Sequence, residues 1–438
     1  MIRDSLGNPA TLHDASSLAF LDDFAQGLLR YEPRAVRLLE IAPADGSAIV
    51  QAAAAALQMF AETPDAPARA LPHVQRALAA APAATPREQR FAAAVAAWVA
   101  GDIPRAIALH EEQAAEHPRD LVSVKLGQYH LFNRGDAPGM LRLARQVLPA
   151  AGDVPQLHGM LAFGWEQCHF LREAEAAAQQ ALRGEPGEPW AHHALAHVML
   201  TEGRLREGWQ FLQAMAPHWD GLNSFMLTHN WWHAALFALE LDDAGAALRL
   251  YDTRVWGVLK TYSQDQVNAV SLLARLELAG AGVGPRWQEL APWLAPRVAD
   301  HVLAFLDLHY LYGLARAGRP EADVLLADLA RHAQQAPQEA WRSVALPAAQ
   351  GLLAHARGDH ATAARTLALA LPRLREIGGS HAQRDLFQQL YLDALARSGQ
   401  LAEAQHLLQQ QARLQPASRR LDRQARAVAQ ALGIGQNR

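Results

Sequence analysis

Apolar residues recur along this chain with helical rather than strand spacing, and the helical runs come in pairs separated by glycine or proline turns. Residues 158–186 show the unit most clearly. Leu161, Ala162 and Trp165 fall on one predicted helix, Ala174, Ala178 and Ala181 on the next, and Pro186 closes the pair. A step of 34 residues in either direction keeps the register. Gly101, Gly135 and Gly203 then share the turn position, Ala106, Ala174 and Gly208 the small position where the two helices cross, and Ala94, Ala162 and Ala196 a close contact in the first helix. Four consecutive units in one phase predict a repeat architecture and exclude a set of unrelated helices.

A 34-residue helix–turn–helix period is that of the tetratricopeptide repeat. Beyond Gly221 the phase slips but pairs persist, at residues 230–253 with Ala246 at the crossing, 264–298, 306–329, 347–370 turning at Gly358-Asp359, and 388–416 turning at Gly399-Gln400. The first 85 residues are degenerate, with helices expected around residues 18–29 and 46–60 and an Ala/Pro-rich stretch leading to Thr85-Pro86. No strand-period segment stands out. The expected fold is an all-α, tetratricopeptide-like helical-repeat superhelix, an α-solenoid of about nine helix pairs in one cooperative array. Within it, residues 1–85 cap the array, 86–221 carry four repeats in register, and 222–438 carry divergent repeats and a C-terminal capping helix. The repeat template points the second, fifth, ninth and twelfth residues of a unit into a concave groove. That places Val122, Lys125, Tyr129 and Phe132 there, then Gln156, Gly159, Phe163 and Glu166, then Trp190, His193, His197 and Leu200.

Composition changes this picture in three respects. The 438 residues carry 40 Lys plus Arg against 44 Asp plus Glu, a net charge of −4, so no basic excess draws the chain to nucleic acid or acidic membranes. The single cysteine, Cys168, excludes an intramolecular disulfide framework or a Cys-rich metal site and fits a reducing cytoplasm. No signal-peptide or membrane-spanning run is expected. Twenty histidines are about twice ordinary usage.

The middle of the chain concentrates them. His193 and His197 are four apart on one predicted helix, and so are His229 and His233 in the run Thr228-His229-Asn230-Trp231-Trp232-His233. Such i,i+4 pairs project from one helix face and suit either acid/base work or two nitrogen ligands to zinc. A lone imidazole satisfied by one hydrogen bond is the plain alternative for each. Asp307-Leu308-His309 is a third mixed element. Zinc chemistry is weakly indicated, because no HExxH pattern occurs and neither pair encloses a carboxylate. The run Gly378-Gly379-Ser380-His381-Ala382-Gln383-Arg384-Asp385 reads either as a helix N-cap or as a site where Arg384, held by Asp385, binds a carboxylate or amide oxygen. Cys168 reads as a small apolar thiol, and the arginines at 419, 420, 423 and 426 as the solvated face of a capping helix.

The order Thr-Pro-Arg-Glu-Gln at 85–89, His-Pro-Arg-Asp at 117–120, Trp190 with His193 and His197, His229-Asn230-x-Trp232-His233, Tyr251-Asp252, Arg286-Trp287, Asp307-x-His309, and Gly-Gly-Ser-x-Ala-Gln-Arg-Asp at 378–385 resembles the tetratricopeptide repeat protein 38 family. The resemblance spans about residues 12–430. It implies a soluble helical-repeat protein with a buried functional site, and brings with it no general activity. The family commonly has aspartate where Asn268 stands, often glutamate near Leu200, and asparagine where this chain has Leu306.

Three functions are compatible with these residues. In the first, His193, His197, His229, His233, Asp307 and His309 perform acid/base chemistry of hydrolase or lyase type on a small polar or amide-bearing molecule. Glu166, Trp190, Asn230, Trp232, Arg384 and Asp385 would hold that molecule, and no cofactor would be needed unless the histidines take zinc. In the second, the groove is a scaffold for a partner peptide or helix. In the third, a small ligand binds without turnover. Partners are thus a small molecule or a protein, with nucleic acid and membrane not expected, and the oligomeric state is not set by the sequence.

Overall fold

The computed structural model describes residues 2–434; residue 1 and residues 435–438, the end of the expected C-terminal segment, lie outside the described part. The described chain is all-α and of helical-repeat class. Its repeating element is an antiparallel helix pair, as in Pro86–Val99 with Ile103–Glu116, Leu121–Asn133 with Ala137–Ala151, and Pro155–Gln167 with Leu171–Gly184. Beyond the roughly nine expected pairs, the helix expected around residues 46–60, Ala48–Met59, is paired with an unexpected one, Ala66–Ala80, in the stretch read as merely Ala/Pro-rich. Its second helix buries Ala66, Ala70, Val74 and Ala77, a helical spacing carried almost wholly by alanine. A two-residue antiparallel ladder, Ile2–Arg3 with Pro9–Ala10, is the one strand pairing among the described residues and was not expected.

The turns follow from local chemistry. Gly101, Gly135 and Gly358 adopt φ of 78°, 71° and 82°, the left-handed region that suits glycine. Each precedes an aspartate, Asp102, Asp136 or Asp359, whose side chain caps the second helix by accepting from a backbone N–H three residues on. π-Helical turns occur at Tyr251–Val255 and Trp341–Ala345.

The chain divides into two compact units, one of Met1–Leu195 with Met215–Met226 and the other of Ala196–Ala214 with Leu227–Arg438. These bounds do not follow the 85/86 and 221/222 divisions of the repeat phase, because phase is a property of sequence and compactness one of packing. Among the described residues no helix is long and apolar enough to cross a membrane.

Several of the polar motifs turn out to be structural locks. In the N-terminal unit, Arg87 reaches Asp120 at 3.1 Å, Asp4 at 3.8 Å and the Pro9 carbonyl at 3.0 Å. Glu88 accepts from the Thr11 amide at 2.8 Å, and Arg119 donates to the Leu6 carbonyl at 2.9 Å. Thr-Pro-Arg-Glu and His-Pro-Arg-Asp therefore clamp the N-terminal segment onto the first repeats. In the C-terminal unit, Arg286 forms a two-pronged bridge to Asp252, both contacts 2.7 Å, which accounts for the Tyr-Asp and Arg-Trp motifs.

Candidate functional site

In the C-terminal unit three helices are buried around nearly their whole circumference. In Ser224–Glu240 every residue from Thr228 to Ala238 is buried; in Ser263–Leu278 so is every residue from Asp265 to Leu276, and in Ala304–Arg316 from Ala304 to Leu314. Hydrophobic residues on all sides make an interior helix, and polar residues within it need partners. His197, which the repeat template placed in the concave groove, is buried as well.

His197, His229 and His233 do come together. The His197 and His233 rings are 4.6 Å apart, those of His229 and His233 4.9 Å, and His381 stands 5.6 Å from His197. His229 stacks on Trp232 at 5.2 Å and 10°. Its Nδ1–H donates to Asn268 Oδ1 at 3.0 Å, Asn268 Nδ2 donates to Thr228 Oγ1 at 3.2 Å, and the Thr228 hydroxyl donates to Asp265 at 3.2 Å. The nearest carboxylate on this chain of hydrogen bonds is thus separated from the imidazole by two neutral groups. Burial pushes His229 down to about 4 and His233 well below the usual histidine range, with the neighbouring histidines adding to it. At neutral pH both rings are uncharged weak bases.

Arg275 stands beside this cluster, 5.4 Å from the Trp232 ring, donating to Ser271 Oγ at 2.5 Å and to the Ala382 carbonyl at 2.7 Å. Burial lowers it to about 10, which leaves it a cation. Asp385 lies 3.9 Å from Arg275 and 3.4 Å from Arg420, which in turn binds Glu240 at 3.0 Å. Asp385 is therefore a counter-ion to two arginines, and Arg420 reaches inward, correcting its assignment to a solvated capping face. Ser380 and Gln383 form a capping box, and Arg384 donates to the Gly379 carbonyl, so the Gly-Gly-Ser run follows the N-cap reading. Asn230 has both amide atoms buried without a hydrogen-bond partner, as are Trp232 Nε1 and His309 Nε2.

Asp307 and His309 are two apart on one helix and serve different neighbours. Asp307 accepts from His301 Nδ1 at 2.6 Å, with Asp328 3.5 Å from the other ring nitrogen. Burial raises Asp307 to about 6 against the pull of His301. His309 donates to the Phe305 carbonyl at 2.7 Å and packs on Phe387 at 5.3 Å, and burial lowers it to about 4. The sequence reading missed His301, whose φ of 45° is unusual for a non-glycine residue, as well as Asn268 and Arg275 in any site role. Only the Asn268 departure from the family pattern pointed to any of them.

In the N-terminal unit, His193 stacks on Trp190 at 4.4 Å and meets Phe163 at 5.1 Å. Trp190 stacks in turn on Tyr31 at 5.2 Å, and the Lys125 ammonium sits 4.0 Å from the Tyr31 ring centroid and 4.9 Å from that of Trp190. Burial drives Lys125 down and Glu188 up, with the two opposite charges opposing both shifts. Phe60 and Tyr129 are 5.2 Å apart, and Phe132 lies 5.8 Å from Phe163. Lys125, Tyr129, Phe132 and Trp190, four of the expected groove residues, are only half-buried, whereas Gln156, Phe163 and Glu166 are buried. Glu166 accepts from Gln167 at 2.6 Å. Burial raises the Cys168 thiol, so it is not an activated nucleophile.

No family profile matches the chain. Among solved structures, Naa15/Naa10 bound to HypK-THB is 12% identical with a TM-score of 0.27, covering 96% of this chain and 67% of that one. Human IFIT1, solved as a dimer with PPP-AAAA, is 13% identical with a TM-score of 0.43, covering 94% and 95%. A solved tetratricopeptide-repeat domain is 12% identical with a TM-score of 0.24, covering 81% and 100%.

Proposed function

We propose that this chain is a tetratricopeptide-like scaffold whose N-terminal unit binds a segment of a partner protein. One observation carries the reading: Lys125, Tyr129 and Phe132, successive groove positions of one repeat, and Trp190, a groove position two repeats on, are half-buried while the other polar motifs close onto each other as locks. Half-buried aromatics flanking a single lysine suit a segment that offers apolar side chains and one carboxylate. Lys125 is one of only two lysines in a chain whose positive charge is otherwise arginine. The test is selection of phage-displayed peptides on the wild-type protein with Lys125→Ala/Phe132→Ala as the counter-target. Peptides carrying an acidic residue beside apolar ones are expected to be retained by the wild type alone. Equal retention by both proteins would sink the proposal.

Hydrolase- or lyase-type chemistry at the histidines has less support, since a general base works best near the operating pH and His229 sits at about 4 beside a neutral amide. A second reading, ligand binding without turnover in the histidine core of the C-terminal unit, is favoured by the unpartnered Asn230, Trp232 and His309 atoms, which a small polar molecule would satisfy. Thermal-shift screening with amides and carboxylic acids tests it, and a stabilisation that persists in Asn230→Leu would count against it. Membership of the tetratricopeptide repeat protein 38 family is part of the same proposal, supported by motif order, as is a cytoplasmic setting, supported by the lone cysteine.

A further inference from the structure

We propose that His355, His360 and Asp393 form a binding site for one divalent transition-metal ion of zinc type. The three come from three elements of the C-terminal unit. His355 is next to last in the helix Leu346–Ala356, His360 opens His360–Ala370, and Asp393 lies within His381–Arg397. Each offers one ligand atom, and the three atoms all lie within 4.8 Å of one another.

The surroundings prepare the donors. His355 Nε2 is 2.9 Å from Asp393 Oδ2, and its Nδ1 is 3.3 Å from the Tyr312 hydroxyl. A partner on the far ring nitrogen orients the imidazole and leaves Nε2 as the atom facing the site, the usual outer arrangement for a metal-bound histidine. The second oxygen of Asp393 accepts from Arg397 Nε at 2.9 Å, which fixes the carboxylate and leaves Oδ2 for the metal. His360 Nδ1 is buried and makes no hydrogen bond, so one ring nitrogen has its lone pair unused. Burial keeps His360 below the ordinary histidine range, the uncharged form a ligand must take, and the His355 and Arg397 hydrogen bonds hold Asp393 ionised despite its burial.

Zinc ligands stand roughly 3.3 Å apart in a tetrahedron with bonds of about 2.0 Å. The His355–Asp393 pair is already closer than that and would open slightly, and the His360 ring, within 4.8 Å of both, would close up by no more than about 1.5 Å. That ring is half-buried and follows the turn at Gly358, where such a shift meets little resistance. Two imidazoles and a carboxylate favour zinc, cobalt or iron over magnesium or calcium, which prefer oxygen. The ion would replace the proton now shared by His355 and Asp393, and half-burial leaves a fourth position for water.

The full chain, stripped of metal, is titrated with Co(II) alone and then with Zn(II) alone, alongside His360→Ala and Asp393→Asn. The wild type is expected to bind one tight equivalent with the visible absorption of four-coordinate Co(II), displaced by Zn(II), and to gain thermal stability from it. Each variant should keep its far-UV circular dichroism and lose that equivalent, with at least a ten-fold weaker affinity. His406→Ala, an exposed histidine elsewhere, serves as the control and should bind as the wild type does. No tight equivalent in the wild type, or one that survives unchanged in both variants, would overturn the proposal.

Discussion

Twenty histidines do not behave as one feature. Six of them, His110, His130, His192, His229, His233 and His309, are interior imidazoles kept neutral by burial, and several bond locally: His110 to Ser123 at 2.7 Å, His192 to the Pro186 carbonyl at 3.0 Å, His309 to the Phe305 carbonyl. The spacing of His229 and His233 made their common face legible in the sequence. Their partners were not, since Asn268 and Arg275 come from a helix that only packing brings alongside. Burial keeps His229 neutral, and Asn268 brings no charge that would offset it. An amide oxygen accepts the Nδ1–H without charge, whereas a carboxylate at the same 3.0 Å would favour the imidazolium. Asn268→Asp should therefore raise the titration of His229 from about 4 by about 1–3 units. Side-chain nitrogen NMR across pH reads this directly, and an unmoved His229 would mean that a carboxylate at this position does not offset the cost of burial.

At the scale of the helix pair, the turns were the most legible part because their chemistry is local: a left-handed residue followed by a cap. The helix Ala66–Ala80 escaped because alanine occupies both its buried and its exposed positions, so no apolar stripe marks it, and Pro72 reads as a breaker. Two glycines at the same turn position separate backbone from packing. Gly101 has φ 78° and nothing within 4 Å of an added Cβ, whereas at Gly203, φ 71°, that atom would stand 2.2 Å from the Ala417 Cβ. Gly101→Ala should cost about 1 kcal/mol, the left-handed penalty alone. Gly203→Ala adds overpacking of about 1–3 kcal/mol, because Ala417 must move. Urea denaturation of the two variants checks the order, and equal costs would show that the turn at Ala417, between Leu401–Leu414 and Arg419–Ala431, yields without resistance.

For the whole molecule, repeat phase was readable along the sequence, while its partition into two compact units was not, because phase says nothing of which contacts are dense. Both units share one property that sets their response to acid. Burial lowers His110 to about 3 and His192 to about 4 in the N-terminal unit, and His229 and His309 to about 4 in the C-terminal unit. Each has a folded value below its unfolded one of about 6.5, so between those values the unfolded chain holds more protons and stability falls as pH drops. Each such group contributes up to about 1.4 kcal/mol per pH unit there. Asp307 works in the opposite sense, since its folded value of about 6 exceeds the unfolded 3.8 and the folded chain holds the extra proton between them. Glu188, raised to about 7 in the N-terminal unit, works in the same sense as Asp307, while His130 and His233, also lowered by burial, add to the histidine side, so the histidines outnumber the groups that oppose them. The urea midpoint should therefore fall as the pH drops from 7 to 5. A midpoint that held level or rose between pH 7 and 5 would mean that these imidazoles accept protons in place, and that the interiors of the two units are wetter than their burial indicates.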